Sequence, residues 1–240
     1  MAKRVLITGA SSGIGKASAK YLYNCGYDLV LSGRSEEKLS ELKNSLSYKD
    51  NDLKIIAADL SNNDGVKVIF DFCAENKLIF DGMLHSAGID GNKLIKLCDG
   101  EYLKNLMQVH YFAFMELCRN FYKKSFSNDG ASIIAISSVA NIVCVKASAA
   151  YACAKSAVDT AVKVMSKEFM KRRIRVNAIK PALVDTPLLD KTREVINIFD
   201  YQPLGYIEPV YIAFIVEFLL SEKSKYITGS FIPVSAGMDL

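Results

Sequence analysis

Short apolar runs of strand length alternate with longer amphipathic segments from one end of the chain to the other. Such alternation marks βαβ units around a parallel sheet, whose strands are covered on both faces and therefore read as continuous hydrophobic runs. The strand candidates are Arg4–Thr8, Asp28–Ser32, Leu53–Ala57, Gly82–His85, Ser132–Ser137, Arg175–Ile179 and Ser230–Val234. Helix candidates lie between them at 14–24, 36–47, 64–76, 100–122, 149–171 and 208–220. The pattern predicts an α/β fold: a doubly wound, seven-stranded parallel sheet with helices on both faces and right-handed crossovers. No Pro/Gly/Ser-rich linker interrupts residues 1–240, so one domain is expected. Only Val184 to Tyr206 fits neither element, with Pro187, Pro203 and Gly205 around the apolar stretch Val195-Ile196-Asn197-Ile198-Phe199. A mobile lid of one short helix is the expectation there.

Half of the residues are hydrophobic, enough for a core on each face of such a sheet. The 30 Lys and Arg against 26 Asp and Glu leave a net charge of +4, spread along the chain and too weak to argue for a nucleic-acid partner. The densest basic run, Lys171-Arg172-Arg173-Ile174-Arg175, falls at a predicted helix end, where cations complement the helix dipole. The cysteines at 25, 73, 98, 118, 144 and 153 form no C-x-x-C pair and have no histidine at metal-ligand spacing, so reduced core thiols and no metal are expected. The apolar run after Lys3-Arg4 is too short for a signal peptide, and no run reaches membrane-spanning length. The expectation is a cytoplasmic protein without a membrane partner.

The first strand runs into Thr8-Gly9-Ala10-Ser11-Ser12-Gly13-Ile14-Gly15 and then directly into a helix. Glycines there let the backbone approach a pyrophosphate, whose charge the free N–H groups and the positive end of the helix dipole can meet. A three-glycine loop alone is equally a structural turn. Its place between the first strand and the first helix points to a nucleotide. After the second strand stands Ser32-Gly33-Arg34-Ser35, with no carboxylate to hold a ribose 2′-hydroxyl. A guanidinium at Arg34 can pair with a 2′-phosphate, which favours NADP(H) over NAD(H); the alternative is that it stacks on adenine or points to solvent. Asp59-Leu60 after the third strand can contact adenine, although Asp59 can equally cap the next helix.

Tyr151-Ala152-Cys153-Ala154-Lys155 places a phenol and an ammonium on one face of a predicted helix. A cation at Lys155, together with the positive charge of a nicotinamide, favours the phenolate and draws Tyr151, ordinarily near pKa ~10, toward a working acid/base. Ser138 precedes Tyr151 by thirteen residues, at the end of the fifth strand, where ligands of α/β sheets bind. Its hydroxyl can hold a substrate oxygen against Tyr151.

These residues together resemble the short-chain dehydrogenase/reductase family over nearly the whole chain, in a Rossmann fold. The glycine loop matches at Gly9, Gly13 and Gly15, the catalytic Ser, Tyr and Lys at Ser138, Tyr151 and Lys155, and the basic NADP-selecting position at Arg34. Arg175-Val176-Asn177-Ala178-Ile179-Lys180-Pro181, Thr186 and Ile227-Thr228-Gly229 also fit. The resemblance implies a cofactor site of Gly9, Ser11, Ser12, Gly13, Ile14, Gly15, Arg34, Asp59, Leu60, Ala87, Gly88, Tyr151, Lys155 and Pro181, with Val184 and Thr186 at the nicotinamide carboxamide. Two departures involve histidines. The family's N-N-A-G turn reads His85-Ser86-Ala87-Gly88, and the asparagine that bends a helix and holds a water leading to the lysine is replaced by His110. His110 is then either a proton relay, titrating near neutrality, or a hydrogen-bonded core histidine; His85 is expected to be neutral and structural.

Taken this way, the chain is an oxidoreductase moving a hydride between nicotinamide and a carbonyl or alcohol carbon. Ala140, Asn141, Ile142, Val143, Leu183, Leu188 and Leu189 around the expected pocket suit an apolar or acyl chain. Size and compactness resemble the family's 3-oxoacyl-carrier-protein reductases, with Lys167, Lys171 and Arg172 as a candidate surface for an acidic carrier. A sugar or other small ketone is the alternative substrate, and a non-catalytic dinucleotide sensor the alternative class. The bulky residues Tyr111, Phe112, Phe114, Phe121 and Tyr122 imply, by the same resemblance, a homodimer or homotetramer.

Overall fold

The computed structural model describes residues 2–46, 51–189 and 198–238. Seven strands, β1 (Arg4–Thr8), β2 (Asp28–Gly33), β3 (Leu53–Ala57), β4 (Phe80–His85), β5 (Ser127–Ile136), β6 (Arg175–Pro181) and β7 (Phe231–Val234), form one sheet in the order β3-β2-β1-β4-β5-β6-β7. Every pairing is parallel. The helices are α1 (Gly13–Asn24), α2 (Glu36–Ser45), α3 (Gly65–Glu75), α4 (Gly100–Met107), α5 (Ala113–Phe121), α6 (Ala140–Val143), α7 (Ala149–Glu168) and α8 (Pro209–Leu220).

The strands are hydrophobic throughout because successive side chains enter different cores. Leu6, Val30, Met83, Ile133 and Val176 face one core, filled by Phe70 of α3, Phe114 and Phe121 of α5, and Val158 and Val162 of α7. Their neighbours Val5, Leu29, Leu31, Leu84, Ile134 and Ile179 face the other, against Leu22 of α1, Leu39 of α2, and Ile212 and Val216 of α8. Fully burying one such side chain contributes roughly 1.5–3 kcal/mol. A one-residue slip of any central strand would exchange its two sets and is strongly opposed.

Several expectations need correction. The helix expected over 100–122 is broken by a π turn, Gln108–Phe112, with His110 at its centre. The basic run falls at a helix end, as expected, with Lys171 and Arg173 exposed there, but not all of it is solvated. Arg172 is buried, and its guanidinium donates to Asp129 Oδ1 (2.8 Å), to Ser127 Oγ (3.1 Å) and to the Tyr122 and Ser127 carbonyls. Arg175 likewise turns inward to Ser224 Oγ and the Leu219 carbonyl. Buried guanidinium groups need such partners, which removes Arg172 from any carrier-binding surface. Of the six free thiols, Cys73 and Cys118 are buried, with burial pushing Cys73 up to about 12, whereas Cys25, Cys144 and Cys153 are exposed. Of the bulky residues expected to face a partner, Phe114 and Phe121 are fully buried and Phe112 remains exposed.

The lid expected between Val184 and Tyr206 lies partly outside the described residues. Within them are two short 3-10 turns, Pro187–Leu189 and Ile198–Asp200. Buried Gln202 staples the segment to its base: its Oε1 accepts from Leu183 N (2.9 Å), and its Nε2 donates to the Leu183 and Gly205 carbonyls. Among the described residues, no helix is long and apolar enough to cross a membrane.

Candidate active site

Strand order reverses between β1 and β4, and at the carboxyl ends of the strands an open α/β sheet leaves a crevice there. A cleft of about 910 Å³ occupies this edge. Its lining includes Gly9, Ser11, Ser12, Gly13, Ile14, Arg34, Asp59, Leu60, Ala87, Gly88, His110, Ser138, Tyr151, Lys155, Pro181, Val184 and Thr186. Residues from widely separated parts of the chain are thus brought to one wall-to-wall site.

Gly15 is the member of the expected cofactor set that does not line the cleft. It sits behind the loop, where a Cβ would come 2.2 Å from the Gly9 carbonyl oxygen, so its lack of a side chain lets α1 pack on the turn that precedes it. Ser12 is the N-cap of α1, yet its side chain makes no bond to the first turn. No side chain occupies those N–H groups, the arrangement in which a helix N-terminus can meet an anion. Arg34 is exposed at the cleft margin. Asp59 does not cap the next helix, which begins at Gly65; its Oδ1 accepts from Ser61 N (3.0 Å) and holds the turn that carries Leu60 to the cleft. Free helix N–H groups, serine hydroxyls and a cation spread along one cleft fit a dinucleotide phosphate.

At the other end of the cleft, α7 carries Tyr151 and Lys155 one turn apart. The Lys155 ammonium is buried, donates to the Ile136 carbonyl (2.8 Å) and lies 5.5 Å from the centre of the Tyr151 ring. Burial pushes it down to about 8, opposed by the negative charge of Asp159. Tyr151 moves the other way: burial raises its phenol to about 12, opposed by a hydrogen bond with Ser138 and reinforced by Asp90. Lys155 by itself does not bring the phenol toward working pH, because desolvation of the phenolate outweighs it; the expectation also counts on the positive charge of the nicotinamide. Ser138 Oγ accepts from Ala140 N (3.1 Å), which fixes it at the mouth of the short helix α6.

Both histidines lie beside this pair. His85 Nδ1 meets Thr8 Oγ1 at 2.9 Å, its ring stacks on Phe114, and burial together with the Lys155 charge pushes it down to about 3. The His110 carbonyl approaches the same ring, although His85 Nε2 makes no hydrogen bond of ordinary geometry. The His110 ring stands edge-on to Tyr151, with centroids 5.4 Å apart. Its Nε2 lies 3.0 Å from the Ile89 carbonyl oxygen and 3.3 Å from the Ile89 N–H, so one tautomer donates to the carbonyl and the other accepts from the amide, while Nδ1 is buried without a partner among the described residues. Burial and Lys155 hold His110 well below its ordinary pKa of 6.5. Titration near neutrality is therefore closed to it, and a proton can cross the ring only by exchange between neutral tautomers. Gly88 makes room for the ring: a Cβ there would lie 2.8 Å from His110 Cε1.

The substrate end is lined by Ala140, Val143, Leu183, Leu188 and Leu189, as expected, and also by Val145, Tyr201 and Met238. Ile142 is instead exposed outside it, and Asn141 turns its amide inward to Asp159. Tyr201 and Met238 were not foreseen, because each comes from a segment with no periodic pattern.

Similarity to known proteins agrees with this geometry. A family model described as Enoyl-(Acyl carrier protein) reductase matches residues 9–239. The 3-oxoacyl-[acyl-carrier-protein] reductase FabG of Rickettsia prowazekii is 34% identical over 98% of this chain and 96% of its own. The uncharacterized oxidoreductase YmfI of Bacillus subtilis is 33% identical over 99% of both chains. Among solved structures, L-sorbose reductase of Gluconobacter frateurii, complexed with NADPH and L-sorbose, superposes with a TM-score of 0.90 at 26% identity, covering 99% of this chain and 96% of that one. With its parallel sheet, its glycine turn opening α1, and a serine, tyrosine and lysine meeting in one cleft, the chain belongs to the short-chain dehydrogenase/reductase family of oxidoreductases.

Proposed function

We propose that the protein is an NADP(H)-dependent ketone reductase of the 3-oxoacyl type. The observation that carries this reading is the convergence of Ser138, Tyr151 and Lys155 on a cleft whose far end is apolar. The cofactor, held by Gly9, Ser11, Ser12, Gly13, Ile14, Arg34, Asp59, Leu60, Ala87, Gly88, Pro181, Val184 and Thr186, supplies the hydride when bound. Tyr151 donates its phenolic proton to the substrate oxygen as the C=O bond is reduced. A phenol raised to about 12 is fully protonated at neutral pH, so it stands ready as an acid, which supports the reductive direction. Ser138 orients the oxygen toward Tyr151, and Lys155 places its positive charge beside the phenolate left after proton transfer. His110 holds the Gly88–Ile89 turn against the cleft beside the Tyr151 ring; as a relay it would take a proton at one ring nitrogen while the other gives one up toward Tyr151, the ring staying neutral throughout.

Arg34 supports NADP(H) over NAD(H), since a guanidinium can pair with a 2′-phosphate. The FabG relatives and the apolar lining of Val143, Val145, Leu183, Leu188 and Leu189 support an acyl chain, carrier-bound or as a simple thioester, over a bare sugar. Phe112, exposed on the π turn, supports a homodimer or homotetramer in which that face is covered. The test is nucleotide consumption by the purified protein against a panel holding a 3-oxoacyl thioester, diketones and keto-sugars, run with NADPH and with NADH. Rapid NADPH loss with the thioester supports the reading. Preference for a keto-sugar would replace the substrate class, and silence across the panel with NADPH still bound would turn the reading to a dinucleotide sensor.

A further inference from the structure

Behind the Tyr151 and Lys155 face of α7 lies a second polar cluster, which joins three elements of the site. Asp159 stands one turn beyond Lys155 on α7, Lys180 is next to Pro181 at the end of β6, and Asn141 is three residues after Ser138 in α6. Lys180 Nζ pairs with Asp159 Oδ2 at 2.7 Å, and Asn141 Nδ2 donates to the same oxygen at 2.6 Å. Lys180 is only 6% exposed, so its ammonium is held by this pair in the interior. Asp159 Oδ1 and Asn141 Oδ1 are buried and have no hydrogen-bond partner among the described residues. A buried ion pair is weak evidence for stability, because desolvation consumes much of the Coulomb gain. Its position against the site is more informative than its strength.

The groups around Lys155 come from every neighbouring element. Tyr151 and Asp159 share its helix, His110 faces it from the π turn, His85 from β4, and the Ile136 carbonyl accepts its bond from β5. Both imidazoles are neutral. Among these described groups Asp159 alone carries a negative charge, and it is shared with Lys180. We propose that Asp159 is a positioning residue of this site: its carboxylate is the counter-charge of Lys155, and through Asn141 it ties the Ser138 loop to the Tyr151 helix. Lys180 competes for that charge and holds the carboxylate in place. The inference rests on the ketone-reductase reading for its kinetic consequence only; the coupling between Asp159 and Lys155 is a property of the protein itself.

The experiment is trace acetylation of the full-length protein with acetic anhydride over a pH ladder, with the Lys155 peptide read by mass spectrometry. Parent, Asp159→Asn, Lys180→Met and Asn141→Ala are compared, together with KM, kcat and Tm. In Asp159→Asn the midpoint of Lys155 labelling should fall by about one pH unit, because the opposite charge is gone. In Lys180→Met it should rise, because Asp159 is left with Lys155 as its main cation. In Asn141→Ala it should stay, while KM for the ketone rises more than kcat falls. Opposite shifts in two variants that both remove a buried ion pair are not produced by loosened packing. Equal midpoints in the parent and both ion-pair variants, with only Tm lowered, would overturn the proposal and leave the cluster a structural brace. If Asp159→Asn fails to fold, Lys180→Met carries the same test with the opposite sign. Shifted midpoints in a protein with no turnover on any ketone would uphold the coupling and reject the ketone-reductase reading instead.

Discussion

Lowering the pH from 7 to 5 should destabilise this protein through two buried histidines. His85 is 2% exposed and His110 1% exposed, and both lie beside the Lys155 ammonium. His85 is depressed from an ordinary 6.5 to about 3. Between those values the unfolded chain binds a proton that the folded chain refuses, so stability is whole above about 6.5 and is lost as the pH falls through this window. At pH 5, about 1.5 units below the ordinary value and at ~1.36 kcal/mol per unit, the neutral His85 imidazole costs the fold about 2 kcal/mol, and His110, held down by the same burial and the same Lys155 charge, adds a loss of the same sign. That is a large share of the ~5–15 kcal/mol typical of a domain. The assay is urea unfolding followed by circular dichroism at pH 7 and pH 5, on the parent and on His85→Asn, His110→Asn and the double variant. Asparagine keeps a polar group toward Thr8 and Ile89 without a titrating ring. The double variant should lose at least about 2 kcal/mol less than the parent over this interval, whatever its stability at pH 7. An equal loss in both proteins would refute the reasoning and place the acid sensitivity in the carboxylates.

Arg34→Ala should raise KM for NADPH about tenfold or more and leave that for NADH nearly unchanged, since one charge-assisted contact to a 2′-phosphate is worth roughly 1.5–3 kcal/mol; equal effects on both nucleotides would mean that Arg34 stacks on adenine or faces solvent. Gly88→Ala inserts a methyl 2.8 Å from His110 Cε1 and should cost about 1–3 kcal/mol in urea unfolding. Adding His110→Ala to it should recover part of that loss, and strict additivity would show that the two do not touch. Phe112→Glu should shift the protein toward monomer in analytical ultracentrifugation, and an unchanged assembly would place the subunit contact elsewhere.

The sheet was legible because a doubly covered parallel strand is written as an uninterrupted apolar run, and all seven runs are strands with edges displaced by a few residues. Ser138, Tyr151 and Lys155 were legible for a related reason: the serine ends a strand, the other two share one helix face, and sheet topology brings both to the same edge. Gly15 needs its missing side chain for the approach of α1 to the Gly9 carbonyl, and spacing alone does not distinguish a glycine under the helix from one beside the cofactor. The cluster of Asn141, Asp159 and Lys180 left no local trace. Each residue reads alone as an ordinary polar position, and the three meet only because α6, α7 and β6 converge. Arg172 was misread for the same reason: its partners, Ser127 and Asp129, lie in an extension of β5 that the apolar pattern does not mark. The depression of both histidines came from burial, which the single letters do not carry.

The most direct test of the account is a comparison of Tyr151→Phe with the parent, measuring NADPH binding by nicotinamide fluorescence and then single-turnover reduction of a 3-oxoacyl thioester. The account predicts that NADPH binding is retained and that the hydride-transfer rate is lower by about 10²–10⁴-fold, the usual contribution of a positioned general acid. Turnover at the parent's rate in Tyr151→Phe would contradict it, because the proton would then reach the substrate by a path that does not use the phenol.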